Sequence, residues 1–221
     1  MREAIGRRMQ QSKGEAPHFY VQTEIDVEGV RAGLHELNAS APPVRITMSV
    51  AFIRASVAAL AENPRVNCVW TDEGLLQVAD INLGVAISLD DGLIAPALLS
   101  AHRLGVLETA VALQDLTQRA RGARLRPSEL SDSTFTLSNL GMYDVTAFTA
   151  IITPPQVAIL AVGRAVDRVI LRGDEIARAS SVNVTLSADH RALDGVDAAK
   201  FLEAFKNALL NPDLLTPEPT N

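Results

Sequence analysis

Hydrophobic and polar positions change period along this chain in a way that predicts strands interleaved with helices. Phe19, Val21, Thr23, Ile25 and Val27 alternate with Tyr20, Gln22, Glu24 and Asp26, the period of two expected of a strand with one wet face. Residues 2–13 before it place Ile5 and Met9 on one side of a short basic helix that ends before Gly14 and Pro17, and a further helix follows the strand through Leu37. Residues 47–61 are apolar nearly all round, which predicts a helix buried on most sides and stopped by Pro64. Residues 66–70 and 75–78 flank Thr71-Asp72-Glu73-Gly74 as a hairpin would. Ile81, Leu83, Val85, Ile87 and Leu89 face one way and Asn82, Gly84, Ala86 and Ser88 the other, which predicts one continuous strand whose small-residue face admits a close neighbour. Asp90-Asp91-Gly92 then turns the chain into a second strand over 93–99.

Val106, Ala110, Leu113, Leu116 and Ala120 mark an amphipathic helix that runs into Arg119, Arg121, Arg124 and Arg126, a charge run that reads as a solvated face. In the strand over 134–139, Phe135 and Leu137 point one way and Thr134, Thr136 and Ser138 the other; taken alone, that hydroxyl row reads as an exposed strand face. Residues 157–162 are continuously apolar, as in a central strand, and 166–171 and 176 onward lead to the run that carries the chemistry. There Val184, Leu186 and Ala188 alternate with Asn183, Thr185 and Ser187, so His190 falls just past a strand end. Ala198, Phe201, Leu202, Phe205, Ala208 and Leu209 then mark one face of a helix, with Asp194 as its N-cap and Asp197 in its first turn.

Composition narrows the classes. With 221 residues, 48% of them apolar, and neither a long polar linker nor an internal repeat, the chain reads as a single domain over 1–221, with 1–17 as an N-terminal arm and 211–221 as a C-terminal anchor and tail. A net charge of −6 with scattered basic residues and few aromatics excludes a nucleic-acid surface. The apolar runs are too short for a membrane span, and the charged N-terminus is not a signal peptide. The lone Cys68 rules out an intrachain disulfide, fits a reducing compartment, and lies in an apolar run that suggests burial. The expectation is a soluble, intracellular protein.

An imidazole fixed between a strand and a helix can act as a general base, because its unperturbed pKa of about 6.5 is close to neutral pH. An isolated His-x-x-x-Asp-Gly is more often an ordinary junction. Asp189-His190-Arg191-x-x-Asp194-Gly195 fixes five positions, expected by chance in on the order of one in ten thousand such chains. No Gly-x-Ser-x-Gly elbow and no metal-ligand spacing accompanies it. A base without an in-chain nucleophile suits direct transfer between two substrates, one of which brings the nucleophile; a thiol meets that need.

The run resembles the active-site signature of the dihydrolipoyl acyltransferase component of 2-oxo acid dehydrogenase complexes, a family related in fold to chloramphenicol acetyltransferase. Pro17-His18-Phe19-Tyr20, Gly92-Leu93-Ile94-Ala95-Pro96, the stretch 134–142 and the stretch 150–160, with Thr153-Pro154-Pro155-Gln156, are also similar to that family. The resemblance implies an α/β fold, a chloramphenicol acetyltransferase-like two-layer sandwich of mixed β-sheet and helices. It further implies a homotrimer with each active site at a subunit interface, and trimers that build a 24-mer or 60-mer core. The implied reaction moves an acyl group between dihydrolipoamide and coenzyme A, and nearness to pyruvate dehydrogenase members favours acetyl.

In that scheme His190 deprotonates the attacking thiol, Ser138 hydrogen-bonds the oxyanion, Asp194 holds the His190 loop, and Arg191 makes a structural ion pair. Arg31 matches an arginine that helps bind coenzyme A, a solvated helix arginine being the alternative. Lys13, Lys200 and Lys206 lack the Asp-Lys-Ala setting of lipoyl attachment, so dihydrolipoamide is expected on a separate lipoyl domain absent from this chain. The implied partners are the decarboxylase and dihydrolipoyl dehydrogenase components, in prokaryotic cytoplasm or mitochondrial matrix. Leu214 and Leu215 resemble an apolar anchor between trimers, although 216–221 runs on, and Tyr143-Asp144 replaces the more usual Phe-Gly. The alternatives are a branched-chain acyl-specific member, a non-catalytic scaffold core, and antibiotic acetyltransferases or condensation domains, which usually carry a second histidine where this chain has Asp189.

Overall fold

Helix α1 (Arg2–Glu15) leads into β1 (His18–Asp26), where the alternation holds: Ile25 is fully buried while Tyr20, Gln22 and Glu24 are less so. This computed structural model describes residues 2–89 and 92–216; Asp90 and Asp91 of the expected turn, and the tail beyond Thr216, lie outside the described residues. Next come α2 (Glu28–Ala39) and α3 (Met48–Glu62), the latter buried through Val50, Phe52, Ile53, Val57 and Leu60 as its composition dictates. Pro64 opens a single 3-10 turn in place of further helix, and the hairpin of β2 (Cys68–Thr71) and β3 (Gly74–Gln77) follows.

The strand expected over 81–89 is not continuous. β4 (Leu83–Val85) and β5 (Ile87–Leu89) belong to different sheets, and the returning chain is likewise split into β6 (Gly92–Ile94) and β7 (Ala97–Leu98). Pro96 has no N–H to offer a ladder, so pairing breaks there; its carbonyl still accepts from the Val85 amide, while the Ala86 amide turns to the Leu137 carbonyl. The small-residue face finds its close neighbour inside the chain, because a Cβ on Gly84 would lie 2.4 Å from Ser133 Oγ.

α4 (Val106–Arg121) carries the expected apolar stripe, and α5 (Pro127–Ser131) follows as one turn that no periodicity announced. Arg119 is not part of a solvated face: it donates to both carboxylate oxygens of the buried Glu129, at 2.6 and 2.8 Å. That hydrogen bonding holds the Glu129 carboxyl below its usual range against the opposing effect of burial. β8 (Phe135–Asn139), β9 (Ala158–Arg172), β10 (Glu175–Asp189) and α6 (Gly195–Leu210) complete the fold.

The main sheet runs β1-β10-β9-β8-β4-β7, with β8 parallel to β9 and to β4 and the other pairs antiparallel. α2, α3, α4 and α6 pack on one face. Phe135 of β8 meets Phe201 of α6 at a centroid distance of 5.4 Å, and Phe52 of α3 meets Phe205 at 6.5 Å. Over the other face run α1 and a strap of residues 140–156. The Ser12 hydroxyl donates to the Ile152 carbonyl at 2.7 Å, and the Arg164 amide to the Val145 carbonyl at 2.8 Å. The strap lies directly on β9 because position 163 is glycine; a Cβ there would sit 2.2 Å from the Thr146 carbonyl oxygen. At the far end, Leu214 and Leu215 fold back on the chain's own core, with Leu215 against Gly33 of α2.

Candidate active site

β10 stops at Asp189 and α6 starts at Gly195, so His190 sits on a tight junction between two rigid elements. Asp194 caps the helix as its position foretold: its Oδ1 accepts from the amides of Val196 (2.8 Å) and Asp197 (2.9 Å), and the Asp197 carboxylate accepts from the Asp194 amide at 3.1 Å. The hydrogen bond with Asp197 leads in holding the Asp194 carboxyl below its ordinary value; the Val196 amide and the weaker fields of Arg65 and His190 act in the same sense.

The His190 amide donates to the Pro17 carbonyl at 3.0 Å, and the Phe19 ring lies 4.8 Å from the imidazole. His190 itself is exposed. Arg191 turns away from it, chelating the buried Asp189 through Nε and Nη2 and lying 4.4 Å from the Trp70 ring. Its part is structural.

Ser138 lies elsewhere, in a cleft of about 490 Å³ on the face away from the packed helices. Thr136, Ser138 and Ile159 form its floor, Ile5 and Met9 of α1 one wall, and Phe148 and Ile151 of the strap another. The hydroxyl row is thus the floor of an apolar pocket, able to hold a short apolar group whose polar atom points down. Ser138 pairs with Ala161, which pairs with Thr185, so Ser138 stands two strands across and five residues along from His190. That separation is about 15–20 Å. Within one chain His190 and Asp194 come together; Ser138 does not join them.

Arg31 is farther still. Its guanidinium donates to Ser180 Oγ at 2.8 Å, ten residues up β10 from His190, or about 30 Å. Cys68 is buried, and burial pushes its thiol up although Arg65 works against this, so it is no nucleophile. Among the described residues no group of His, Cys, Asp and Glu could hold a metal ion, and no helix is long and apolar enough to cross a membrane.

Three further residues belong to the site without having been given a role from sequence: Pro17 and Phe19, which support His190, and Gln156, which lines the Ser138 cleft. His18 ties the two halves together, donating through Nδ1 to the Ala16 carbonyl and accepting through Nε2 from the Ile152 amide of the strap. Only the unusual runs Pro17-His18-Phe19-Tyr20 and Pro154-Pro155-Gln156 pointed to these positions.

Residues 1–216 match the family model for the catalytic domain of 2-oxoacid dehydrogenases acyltransferase. The mitochondrial dihydrolipoyllysine-residue acetyltransferase component of the pyruvate dehydrogenase complex of Schizosaccharomyces pombe is 39% identical over 96% of this chain and 45% of its own length. The chain spans about half the length of the curated relatives it matches. A probable dihydrolipoamide acetyltransferase from Listeria monocytogenes superposes with a TM-score of 0.89 at 32% identity, covering 100% of this chain and 94% of that one. Dihydrolipoamide acetyltransferase of Azotobacter vinelandii does so with 0.91 at 25% identity, covering 96% and 89%. The work on that enzyme concerns a serine, a histidine fifty-two positions later and an asparagine four beyond it in the catalytic mechanism. Chloramphenicol acetyltransferase, 14% identical with a TM-score of 0.61 over 92% of this chain and 94% of that one, shares the fold.

Proposed function

Because this chain belongs to the 2-oxoacid dehydrogenase acyltransferase family as its catalytic domain, we propose that it transfers an acetyl group between dihydrolipoamide and coenzyme A. Ser138, His190 and Asp194 repeat the two spacings of the serine, histidine and asparagine studied in the Azotobacter enzyme. The observation that carries the reading is His190 itself: exposed, anchored at its amide by Pro17, and set beside a capped helix.

In the direction that makes acetyl-coenzyme A, the His190 imidazole takes the proton of the coenzyme A thiol. The thiolate attacks the carbonyl carbon of S-acetyldihydrolipoamide, and its oxygen becomes an oxyanion that Ser138 hydrogen-bonds. Collapse breaks the bond to the dihydrolipoamide sulfur, which leaves with the proton held by His190. Asp194 contributes by fixing the junction from which the imidazole projects. Arg31, anchored on Ser180 about 30 Å along β10 from His190, is assigned to the distant end of coenzyme A.

A base and an oxyanion donor about 15–20 Å apart cannot serve one carbonyl, so we assign the working site to a homotrimer in which one protomer brings His190 and its neighbour Ser138. Larger cores, lipoyl domains, decarboxylase and dihydrolipoyl dehydrogenase follow from the same family reading. The relatives come from mitochondria and bacteria, which supports the mitochondrial matrix or bacterial cytoplasm. We also read 1–221 as one catalytic domain, supported by a single hydrophobic cluster that reaches from Ile25 to Leu209.

The test is to incubate the folded chain with acetyl-coenzyme A and dihydrolipoamide and to follow formation of the new thioester. Turnover is expected. A folded trimer that transfers no acetyl group would leave a scaffold role in its place.

A further inference from the structure

The Ser138 cleft has a second polar feature that the reaction above leaves unused. Gln156 is buried, and its carboxamide oxygen accepts from the Thr136 hydroxyl at 2.7 Å. Its backbone is held as well: its amide donates to the Thr153 carbonyl at 3.0 Å, and it forms a bridge with Val69. Both ends of the residue are therefore fixed before any ligand arrives. The Nε2 group, by contrast, has no hydrogen-bond partner among the described residues. Gln156 lines the cleft, so that nitrogen presents its two N–H donors there.

A buried carboxamide with its oxygen engaged and its nitrogen facing an apolar pocket is an arrangement for receiving a carbonyl. An apolar ligand would leave the N–H groups unpaired at a cost; an acceptor oxygen would satisfy them. Gln156 is tied to Thr136, and Thr136 and Ser138 are two residues apart on one strand face, about 7 Å, which spaces Gln156 and Ser138 along the cleft floor. They are placed for two acceptors on one extended ligand. Building on the acyltransferase reading, we propose that Gln156 Nε2 is a substrate-binding donor that hydrogen-bonds an amide carbonyl on the arm of a thiol substrate while Ser138 serves the thioester carbonyl. Both thiol substrates carry such an amide, coenzyme A in its cysteamine arm and dihydrolipoamide at the end of its chain. Thr136 acts as a positioning residue that holds the carboxamide in place.

The test measures acetyl transfer by wild type, Gln156→Met and Thr136→Val, varying coenzyme A, dihydrolipoamide and propane-1,3-dithiol, a dithiol acceptor without a carbonyl. Loss of one neutral hydrogen bond predicts a KM raised about five- to tenfold in Gln156→Met for one amide-bearing substrate, with kcat within about twofold and KM for the plain dithiol unchanged. The substrate whose KM rises is the one that Gln156 holds. Thr136→Val should raise the same KM by a smaller factor. If Gln156→Met does not sediment as the wild type does, Gln156→Glu, which keeps the shape but lacks the donor, is judged by the same criteria. Unchanged KM values, or a rise equal for all three thiols, would overturn the role of Gln156. Inactive wild type would instead overturn the acyltransferase reading on which it rests.

Discussion

The Phe19 ring packs 4.8 Å from the His190 imidazole, with the two planes inclined at 51°. Support for His190 thus comes from β1 as well as from the junction that carries it, and the Pro17 carbonyl, two residues before Phe19, accepts from the His190 amide. Replacing Phe19 by Leu keeps an apolar residue but removes a ring contact worth about 0.5–1.5 kcal/mol. We expect kcat to fall about three- to tenfold with KM nearly unchanged; a kcat equal to wild type would show that the ring does not orient the imidazole.

His190→Ala should fold and assemble like wild type, since the side chain is exposed, yet lose about 10²- to 10⁴-fold in turnover. Steady-state rates beside circular dichroism melts make the check. Near-normal turnover would remove His190 from the mechanism.

Asp194→Asn keeps an oxygen for the Val196 and Asp197 amides, whereas Asp194→Ala leaves both without it. Activity should therefore fall about tenfold or more in the Ala variant and no more than about threefold in the Asn variant. The carboxyl also predicts an acid limb. Because its folded-state value lies below the ordinary 3.8, its stabilising contribution is complete above that value and is lost as pH falls through the folded one. Melting temperatures followed downward from pH 5 should drop less steeply for Asp194→Asn than for wild type, and parallel curves would contradict this.

On the proposed mechanism, Ser138→Ala removes one donor to the oxyanion, a change on the scale of about 10²- to 10³-fold in kcat. Sedimentation should still give the wild-type assembly. Turnover should also vanish on dilution to verified monomers, because Ser138 and His190 of one chain stand too far apart to act together. Full activity in a monomer would refute the shared site.

Arg119→Met strands the buried Glu129 carboxylate, and loss of about 3 kcal/mol is expected, a fall in Tm of roughly 6–12 °C for a chain of this size. The double variant Arg119→Met, Glu129→Leu should recover much of that loss. A single variant as stable as wild type would show that the pair lies outside the cooperative core.

Periodicity is enough to locate β1, α4 and α6, because each buries one face of a regular element and the core selects that face, and an unbroken apolar run is enough for α3, which is buried on most sides. Asp194 is legible for a local reason: a cap needs only the helix that follows it. The strand over 81–89 misleads because its alternation runs unbroken through Ala86, while the break is imposed from the returning chain by Pro96. α5 escapes because its single turn is too short to show a period; it is held by the local bond of the Arg126 amide to Glu129 and by Arg119, ten residues away. Alternation places Thr136 and Ser138 on one face correctly. It has no means of giving the distance from Ser138 to His190, which depends on the order and register of three strands, nor of showing that Phe19 and Gln156 border the two halves of the site.

β10 carries Ser180, the anchor of Arg31, near its middle and delivers His190 just past its end, ten residues on. A pleated strand scarcely stretches, so the gap between those stations, about 30 Å, acts as a measuring rod built into the sheet. On the proposed assignment of Arg31, a molecule it grips can bring a thiol to the imidazole only if its arm is of matching length. Shortened thiols would lose that grip even with identical reactive chemistry, which makes reach a criterion of selection in its own right.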